Sequence, residues 1–135
     1  EMCIRDRTGL DSTRAPMVLA VLAARAGLQT ADKEVYIATV GGMKIGEPAA
    51  DLAVAMATAS ALTRTPLPQR TIVIGEIGLA GELRRVPSCD KRLAEAARLG
   101  FERAIVPRGS VQAKDTPLVV SEVSTVAQAL EFLKK

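Results

Sequence analysis

Few side chains of this sequence can do chemistry, because histidine is absent from all 135 residues. A Ser-His-Asp or Cys-His catalytic site is therefore excluded, and so is any metal site that depends on imidazole. The two cysteines, Cys3 and Cys89, lie far apart and have no paired spacing. We expect no metal site, and we expect Cys89 to be a buried or idle thiol in a reducing compartment.

Basic side chains are the remaining candidates for a functional role. The sequence has 18 Lys and Arg against 15 Asp and Glu, a formal net charge of +3. Cations beside phosphates release counterions and give a salt-dependent, sequence-independent affinity for nucleic acid. The candidates for DNA contact are Arg84, Arg85, Lys91, Arg92 and Arg108, with Arg14 and Lys114 as weaker ones. The alternative is an ordinary solvated helix face with the pairs Lys91–Glu95 and Arg92–Glu95.

Composition argues against three further kinds of protein. The only aromatic residues are Tyr36, Phe101 and Phe132, which argues against a stacking platform for single-stranded nucleic acid. No uncharged apolar stretch is long enough to cross a membrane, and no secretory signal is visible, so we expect no membrane partner. The glycines at Gly41-Gly42 and from Gly75 to Gly81 fit no nucleotide-binding fingerprint; tight turns explain them better.

The elements that must position these side chains alternate between helix and strand. Capping residues and apolar periodicity predict helices over Ser12–Ala26, Pro48–Thr63, Asp90–Leu99 and Thr125–Lys134. Strands are predicted at Glu34–Val40, Thr71–Ile77, Glu82–Val86, Arg103–Val106 and Leu118–Val123. The second and third of these strands form a hairpin, so we expect a mixed sheet. The second helix is apolar nearly all round, so we expect it to be buried on several sides.

The first seven residues, Glu1 to Arg7, are expected to be foreign to the native protein. Their sequence reads like the translation of a transposase adapter from a sequencing library, the alternative being a genuine loop. We exclude them from the fold. The sequence then begins abruptly at a helix, with too few strands to cover its helices. We therefore expect residues 8–135 to form one domain whose upstream strands are missing.

From Gly9 onward, nearly the whole sequence resembles the C-terminal Lon protease-like domain of the RadA (Sms) family of bacterial DNA recombination and repair ATPases. The residues that carry the resemblance are Gly9-Leu10-Asp11 with Arg14, Met17 to Leu22, Asp32-Lys33, Val35-Tyr36-Ile37, Gly41-Gly42, Glu47 to Ala53, Gly75 to Arg84 and Glu95 to Phe101. The resemblance implies an α+β fold, a mixed sheet with packed helices, similar to the second domain of a small-subunit ribosomal protein.

The resemblance also implies that a catalytic dyad has been lost. Lon proteases carry their nucleophile in a Gly-Pro-Ser-Ala-Gly segment, and the matching position here is Ala49. The position of the lysine base matches Asp90, one residue before Lys91. A methyl group cannot attack a carbonyl carbon, so we expect no enzyme activity from this domain. We expect Ala49 to pack at a helix start and Asp90 to lie at a helix N-terminus; Ser88 and Ser60 are the alternative nucleophiles.

The function that the resemblance implies is a non-proteolytic scaffold that contacts DNA. Family members form hexameric rings, drive ATP-dependent branch migration on single-stranded DNA and recombination intermediates, and work in the bacterial cytoplasm at the nucleoid beside recombinases. Their ATP, magnesium and zinc sites precede this domain. No G-x-x-x-x-G-K-S/T motif occurs here, so we expect no cofactor. The alternatives are an active Lon-like peptidase with an unconventional nucleophile and a purely structural ring-forming, partner-binding domain.

Overall fold

Strands and helices alternate along the residues that the computed structural model describes, which are 3–8, 14–28, 34–38, 47–111 and 116–134. The strands are β1 (Cys3–Thr8), β2 (Glu34–Ala38), β3 (Thr71–Val73), β4 (Glu76–Ile77), β5 (Leu83–Arg84), β6 (Arg103–Pro107) and β7 (Val119–Val123). The α-helices are α1 (Arg14–Ala26), α2 (Asp51–Thr63), α3 (Cys89–Arg98) and α4 (Val126–Leu130). A 3-10 turn, Pro48–Ala50, leads into α2, and another, Glu131–Lys134, follows α4.

The central sheet has three parallel strands in the order β3-β6-β7. Side chains of the middle strand alternate between the two faces, as the pleat requires. Ile105 joins an apolar cluster on one face, and Ala104 and Val106 join a second cluster on the other. The strands of a parallel sheet that is covered on both faces are apolar along their whole length. In agreement with this, Ala104 to Pro107 of β6 are all buried.

Helices cover both faces of this sheet. The first cluster joins α1, α2 and α4 through side chains that are almost fully buried, among them Leu19, Met56 and Val126. The second joins α3 to the opposite face through Cys89, Leu93 and Ala96. The result is a three-layer arrangement of helices, sheet and helix.

Most of the predicted elements are confirmed. All four helices are present, and when the flanking 3-10 turns are counted their ends lie within about two residues of the predicted ones where the structure describes them. Gly100 has a φ of +95°, as expected for a residue that ends α3. The Thr125 hydroxyl accepts a hydrogen bond from the Gln128 N–H at 3.2 Å, which caps α4.

The prediction of one continuous strand over Thr71–Ile77 is wrong, because the chain divides there between two sheets. Before the break, the Ile74 N–H donates to the Ile105 carbonyl at 3.0 Å, continuing the parallel ladder. Next, the Gly75 N–H donates to the Ala49 carbonyl at 2.9 Å, and its carbonyl accepts from the Leu52 N–H at 3.0 Å. Since the start of α2 takes these backbone groups, β4 leaves the sheet and pairs only with β5.

The predicted single mixed sheet is therefore also wrong. Its parallel part is the β3-β6-β7 sheet, and its antiparallel part is a separate two-stranded hairpin of β4 and β5. A further parallel pair joins β1 to β2, with a register shift between Ile4 and Asp6. This pair includes Cys3 to Arg7, which the sequence analysis had left out of the fold. Gly41-Gly42 and the loop that holds Lys114 lie outside the described residues.

Helix α2 is apolar on all sides but is buried mainly along one side, whereas burial on several sides was expected. Asp51, Leu52, Ala55, Met56 and Ala59 are buried. The other side is made of small residues, and Ala57 and Ala61 are exposed there. The unusual apolar character of this exposed side needs a separate explanation.

Candidate nucleic-acid interface

The carboxyl ends of the parallel strands and the N-terminus of α3 meet at one edge of the sheet. β6 ends at Pro107, and Gly109 and Ser110 then lie beside the first turn of α3. β7 ends at Val123, and the next carbonyl, of Ser124, accepts from the Leu83 N–H at 2.9 Å. We call this region, residues 83–92 and 108–110, the carboxyl edge. Ligands of open α/β sheets bind outside such strand ends.

A cleft of about 530 Å³ opens at the carboxyl edge. It is lined by residues 85–91 together with Gly109 and Ser110. Gly109 has a φ of +81°, and a Cβ built on it would lie 3.6 Å from Cδ of Arg85 and 3.8 Å from its Nη1. The Arg85 side chain therefore lies over Gly109, close to the floor of the cleft.

The two positions of the degenerate dyad lie in different surroundings. Ala49 is 7% exposed and belongs to the apolar cluster that includes Cys89 and Leu93. Asp90, in the first turn of α3, is partly exposed and lines the cleft. An ion pair between Glu47 and Arg92 joins the segment before Ala49 to the helix that carries Asp90. The methyl group at position 49 is therefore part of the packed interior.

The two serines considered as alternative nucleophiles differ in their contacts. Ser60 donates its hydroxyl to the carbonyl of Thr65, so it helps to end α2. Ser88 is exposed at the start of α3, with a φ of 60° that is unusual for a residue other than glycine. Its side chain makes no capping hydrogen bond. Ser88 is thus the more accessible hydroxyl, and it lies in the cleft with Lys91.

The main DNA-contact candidates all lie at the carboxyl edge. Arg84 pairs with Glu82 at 3.3 Å, and Arg92 pairs with Glu47 while also donating to the Pro87 carbonyl at 3.2 Å. The exposed cations Arg85, Lys91 and Arg108 have no carboxylate within ion-pair distance among the residues that the structure describes. These three side chains are therefore available to an anionic ligand.

Two ion pairs predicted from the sequence are wrong. Instead of pairing with Lys91 or Arg92, Glu95 pairs with Arg98 at 2.7 Å, one turn further along α3. Arg92 turns away from its own helix toward Glu47. Of the weaker candidates, Arg14 begins α1 and Lys114 lies outside the described part of the chain.

Other basic residues lie at the opposite end of the sheet. Arg103 begins β6 and pairs in register with Thr71 of β3. Arg70 forms an ion pair with Glu102 at 3.3 Å, just before those strands begin. Arg98 ends α3, a ten-residue helix that is about 15 Å long. The local excess of positive charge seen in the sequence is thus divided between two ends of the molecule.

Two residues of the cleft, Gly109 and Ser110, were missed by the sequence analysis. Ser110 is 9% exposed, and its hydroxyl makes no hydrogen bond with any residue that the structure describes. Burial raises the pKa of the neighbouring Cys89 thiol, and the negative charge of Asp90 raises it further. The Ser110 hydroxyl is near enough to oppose this shift, but it does not reach hydrogen-bond geometry. A glycine two residues after the end of a strand was the signal that could have drawn attention to this turn.

The described residues contain no group of three His, Cys, Asp or Glu side chains that could hold a metal ion. Within the same part of the chain, no helix is both long and apolar enough to cross a lipid bilayer.

The chain is homologous to proteins that are named DNA repair protein RadA. It is 52% identical to the protein of Mycolicibacterium smegmatis over 128 residues, covering 95% of this chain and 27% of that protein. It is 50% identical to the Escherichia coli protein, covering 82% of this chain and 24% of that protein. It is 43% identical to the Streptococcus pyogenes protein, covering 94% of this chain and 28% of that protein. The chain thus spans about a quarter of the length of these relatives.

A family model also matches residues 18–110, which is more than half of the chain. That segment runs from α1 through α3 and β6 to Ser110, so it includes the cleft and both dyad positions. The family description refers to a magnesium chelatase, whereas the relatives above are named for DNA repair. By this match, the chain belongs to the family described as subunit ChlI of Mg-chelatase.

Proposed function

We propose that this domain is a non-proteolytic, Lon protease-like module that contacts DNA in a protein of recombination and repair. The observation that carries the proposal is a group of three exposed cations at the carboxyl edge, Arg85, Lys91 and Arg108, which pair with no carboxylate of the described residues. Such cations bind the phosphate backbone without reading its sequence. Relatives named DNA repair protein RadA, 43–52% identical over most of this chain, support the same conclusion.

The absence of protease activity is proposed from the two dyad positions. At position 49 a methyl group is packed among apolar side chains, and at position 90 a carboxylate stands where a lysine base is needed. The fold that once placed a nucleophile is retained here for binding.

A scaffold role is proposed from the exposed side of α2. An apolar helix side made of small residues allows another backbone to approach closely. We propose that this side, with Ala57 and Ala61 at its surface, contacts a second subunit. Sedimentation of the chain tests this: self-association is expected, and a monomer at high concentration contradicts it.

The whole protein is proposed to be an ATP-dependent branch-migration enzyme that forms a hexameric ring and works with a recombinase in the bacterial cytoplasm, near the nucleoid. Its ATP, magnesium and zinc sites are assigned to segments outside residues 8–135. Residues 1–7 are assigned to a sequencing adapter. These assignments follow from the resemblance described above, which the names of the relatives support in its coarser part.

The experiment that tests DNA contact is fluorescence anisotropy of a labelled single-stranded oligonucleotide. We expect binding that weakens steeply between about 50 and 200 mM salt, because the basic side chains of the protein release counterions from the phosphates and added salt opposes that release. Since contacts with phosphates carry no sequence information, we expect little dependence on base sequence. Failure to bind at low salt contradicts the DNA-contacting part of the proposal and leaves the scaffold role standing.

A second candidate function is an unconventional peptidase, favoured by the exposure of Ser88 beside Lys91 in one cleft. A residue held at positive φ in a cleft is a known mark of functional sites. Hydrolysis of unfolded casein by the chain, abolished by Ser88→Ala, supports this candidate. No hydrolysis, which we expect, eliminates it.

A further inference from the structure

We propose that two copies of this chain form a twofold contact in which Leu79 of each copy docks into an apolar groove of the other. The groove lies between α4 and the C-terminal ends of α1 and α2, and α2 lines it with Ala59 and Thr63. The subunit contact proposed above uses Ala57 and Ala61, which lie on the other side of α2, since residues two apart on a helix point about 200° apart. The twofold contact is therefore a second, separate surface and does not rest on the proposed function.

Leu79 lies at the tip of the turn between β4 and β5, and its side chain is 74% exposed. Hydrogen bonds fix the turn that carries it. The Gly81 N–H donates to the Gly78 carbonyl at 3.0 Å, and the Ala80 N–H donates to the Glu82 carboxylate at 3.1 Å. An apolar side chain on a fixed turn loses little freedom when it docks, so most of the gain from burying it contributes to association.

The groove has the size and the lining that an aliphatic side chain needs. Its volume is about 420 Å³. The buried side chains of Ala59 and Leu133 form its floor, and the half-buried side chains of Leu28 and Leu130 line it as well. An apolar cavity of about 150 Å³ already accepts a benzene molecule. The groove can therefore accept a leucine together with part of the turn that carries it.

The turn and the groove lie side by side on one face of the molecule. A Cβ built on Gly81 would lie 2.9 Å from Cβ of Arg25 and 3.7 Å from Cγ1 of Val126. The next residues along the chain, Ala26 and Ala127, both line the groove. A face that carries a protruding apolar side chain beside an apolar groove is complementary to itself. Two copies related by a twofold axis can then fill each other's groove.

Charges on this face favour a second copy as the occupant of the groove. Arg25 lies beside the turn and Glu131 lines the groove, and both side chains are exposed. Within the described part of the chain, neither of them forms an ion pair. Docking of the turn brings Arg25 of one copy toward Glu131 of the other, so that opposite charges meet on both sides of the twofold axis.

The test is sedimentation equilibrium of the full chain over a series of concentrations. Leu79→Asp should weaken self-association at least about tenfold, because each dimer loses two buried leucine side chains. Leu79→Met keeps an apolar side chain and should associate as the unmodified chain does. Leu99→Asp is the matched control, since Leu99 is a leucine of similar exposure, 69%, at the end of α3 on the opposite face of the sheet. It should leave association unchanged.

A cross-linking arm shows which surface receives the leucine. A ¹⁵N-labelled Leu79→Cys chain is mixed with an unlabelled Ala127→Cys chain and oxidised in air, and the mixed disulfide is identified by its mass. Both chains carry Cys3→Ser, and Cys89 is buried. Because the two new thiols are on different chains, their disulfide reports only contact between copies. We expect about tenfold more of it than from Leu99→Cys mixed with Ala127→Cys.

Three results overturn the inference: Leu79→Asp associates like the unmodified chain, Leu99→Asp weakens association as much as Leu79→Asp does, or the two cysteine pairs cross-link equally. Association that persists in Leu79→Asp leaves the contact through α2 standing. A Leu79→Asp chain that is wholly monomeric supports the inference and contradicts the contact through α2. The two proposals are thus tested separately.

Discussion

At the residue scale, the position that we matched to a protease nucleophile lies in the packed interior. Ala49 shares a cluster with Cys89 and Leu93, while Asp90 faces the cleft. A serine at position 49 places a hydroxyl among apolar side chains instead of into a substrate cleft. In our proposal, protease activity is therefore prevented by the packing as well as by the residue types.

The first prediction follows from this packing. The double variant Ala49→Ser with Asp90→Lys should hydrolyse no peptide, and Ala49→Ser alone should lower the free energy of unfolding by about 1–3 kcal/mol because its hydroxyl is buried without a partner. Fluorogenic peptide assays and urea denaturation measure the two effects. Peptide cleavage by the double variant contradicts the account and shows that the two positions still meet productively.

The second prediction concerns the Cys89 thiol, whose pKa is raised by burial and by the charge of Asp90. A raised pKa in the folded state means that the neutral thiol contributes stability below the pKa of the unfolded chain. This stability is lost as the pH rises through the folded value. The free energy of unfolding should therefore fall above about pH 9.

The matched variant for this prediction is Cys89→Ala, which has no thiol to ionise. It should start from a lower stability, since a buried side chain is truncated, yet lose less on going to alkaline pH. Urea titrations between neutral and alkaline pH measure the difference. Parallel curves for the two proteins contradict the prediction.

The cations of the carboxyl edge could be identified from the sequence, but the turn at Gly109 and Ser110 could not. Lys91 and Arg108 were recognisable as local excess charge, because charge is visible in sequence. Which cations stay unpaired was not predictable: Arg92 is held by Glu47, 45 residues away. Ser110 lacked any sequence signal, since its missing hydrogen-bond partner is a property of the folded surroundings.

At the element scale, the break between β3 and β4 is the feature that connects the sheet to the start of α2. Gly75 lies at this break and exchanges two backbone hydrogen bonds with Ala49 and Leu52. It is buried, and a Cβ built on it would lie 3.3 Å from the Leu52 side chain and 3.4 Å from Pro107. A Cβ at this position would be tight and would make the Leu52 and Pro107 side chains shift by a few tenths of an ångström.

The third prediction is that Gly75→Ala destabilises the fold by about 1–3 kcal/mol, because an extra methyl group is forced into a packed contact. Chemical denaturation measures this loss. Amide exchange should become faster at Leu52, whose N–H donates to the Gly75 carbonyl. If Gly75→Ala leaves the free energy of unfolding unchanged, the start of α2 can move aside for the methyl group, and this description of the break is contradicted.

The fourth prediction concerns the hairpin of β4 and β5. The pKa of Glu82 is lowered by its own backbone N–H first, then by Arg84 and the Ala80 N–H, which donates at 3.1 Å. A lowered pKa contributes stability above the ordinary carboxyl value of 4.5, and this is lost as the pH falls through the folded value. The unmodified chain should therefore lose more stability in acid than Glu82→Gln does.

Thermal unfolding at a series of acidic pH values measures this difference, with Glu131→Gln as the control. The control should follow the unmodified chain. If Glu82→Gln loses as much stability in acid as the unmodified chain, the carboxylate does not stabilise the turn between β4 and β5. Gly78 is part of the same arrangement, since a Cβ there would overlap the Glu82 carboxylate.

The helices were predictable because each has local signals, such as Thr125 at the start of α4 and Gly100 at the end of α3. The pairing of the strands was not predictable from the sequence. Residues 71–77 are rich in β-branched side chains, which predicts a strand but not its neighbours. Only contacts with Ala49 and Leu52, more than 20 residues earlier in sequence, divide this segment between two sheets.

At the scale of the whole molecule, the parallel sheet separates two groups of cations. Arg85, Lys91 and Arg108 lie at the carboxyl edge, whereas Arg70, Arg98 and Arg103 lie at the opposite end. At the opposite end, Arg70 pairs with Glu102 and Arg98 with Glu95. The two groups thus contain the same number of cations and differ in where they lie on the molecule.

The measurement that tests the central claim most directly compares two triple variants in single-stranded DNA binding across a salt series. Arg85→Ala/Lys91→Ala/Arg108→Ala should weaken binding and reduce the magnitude of the salt slope by up to about 2, since each lost phosphate contact removes about 0.7. Arg70→Ala/Arg98→Ala/Arg103→Ala removes the same charge and should leave the slope nearly unchanged. Equal effects of the two variants contradict a DNA contact at the carboxyl edge.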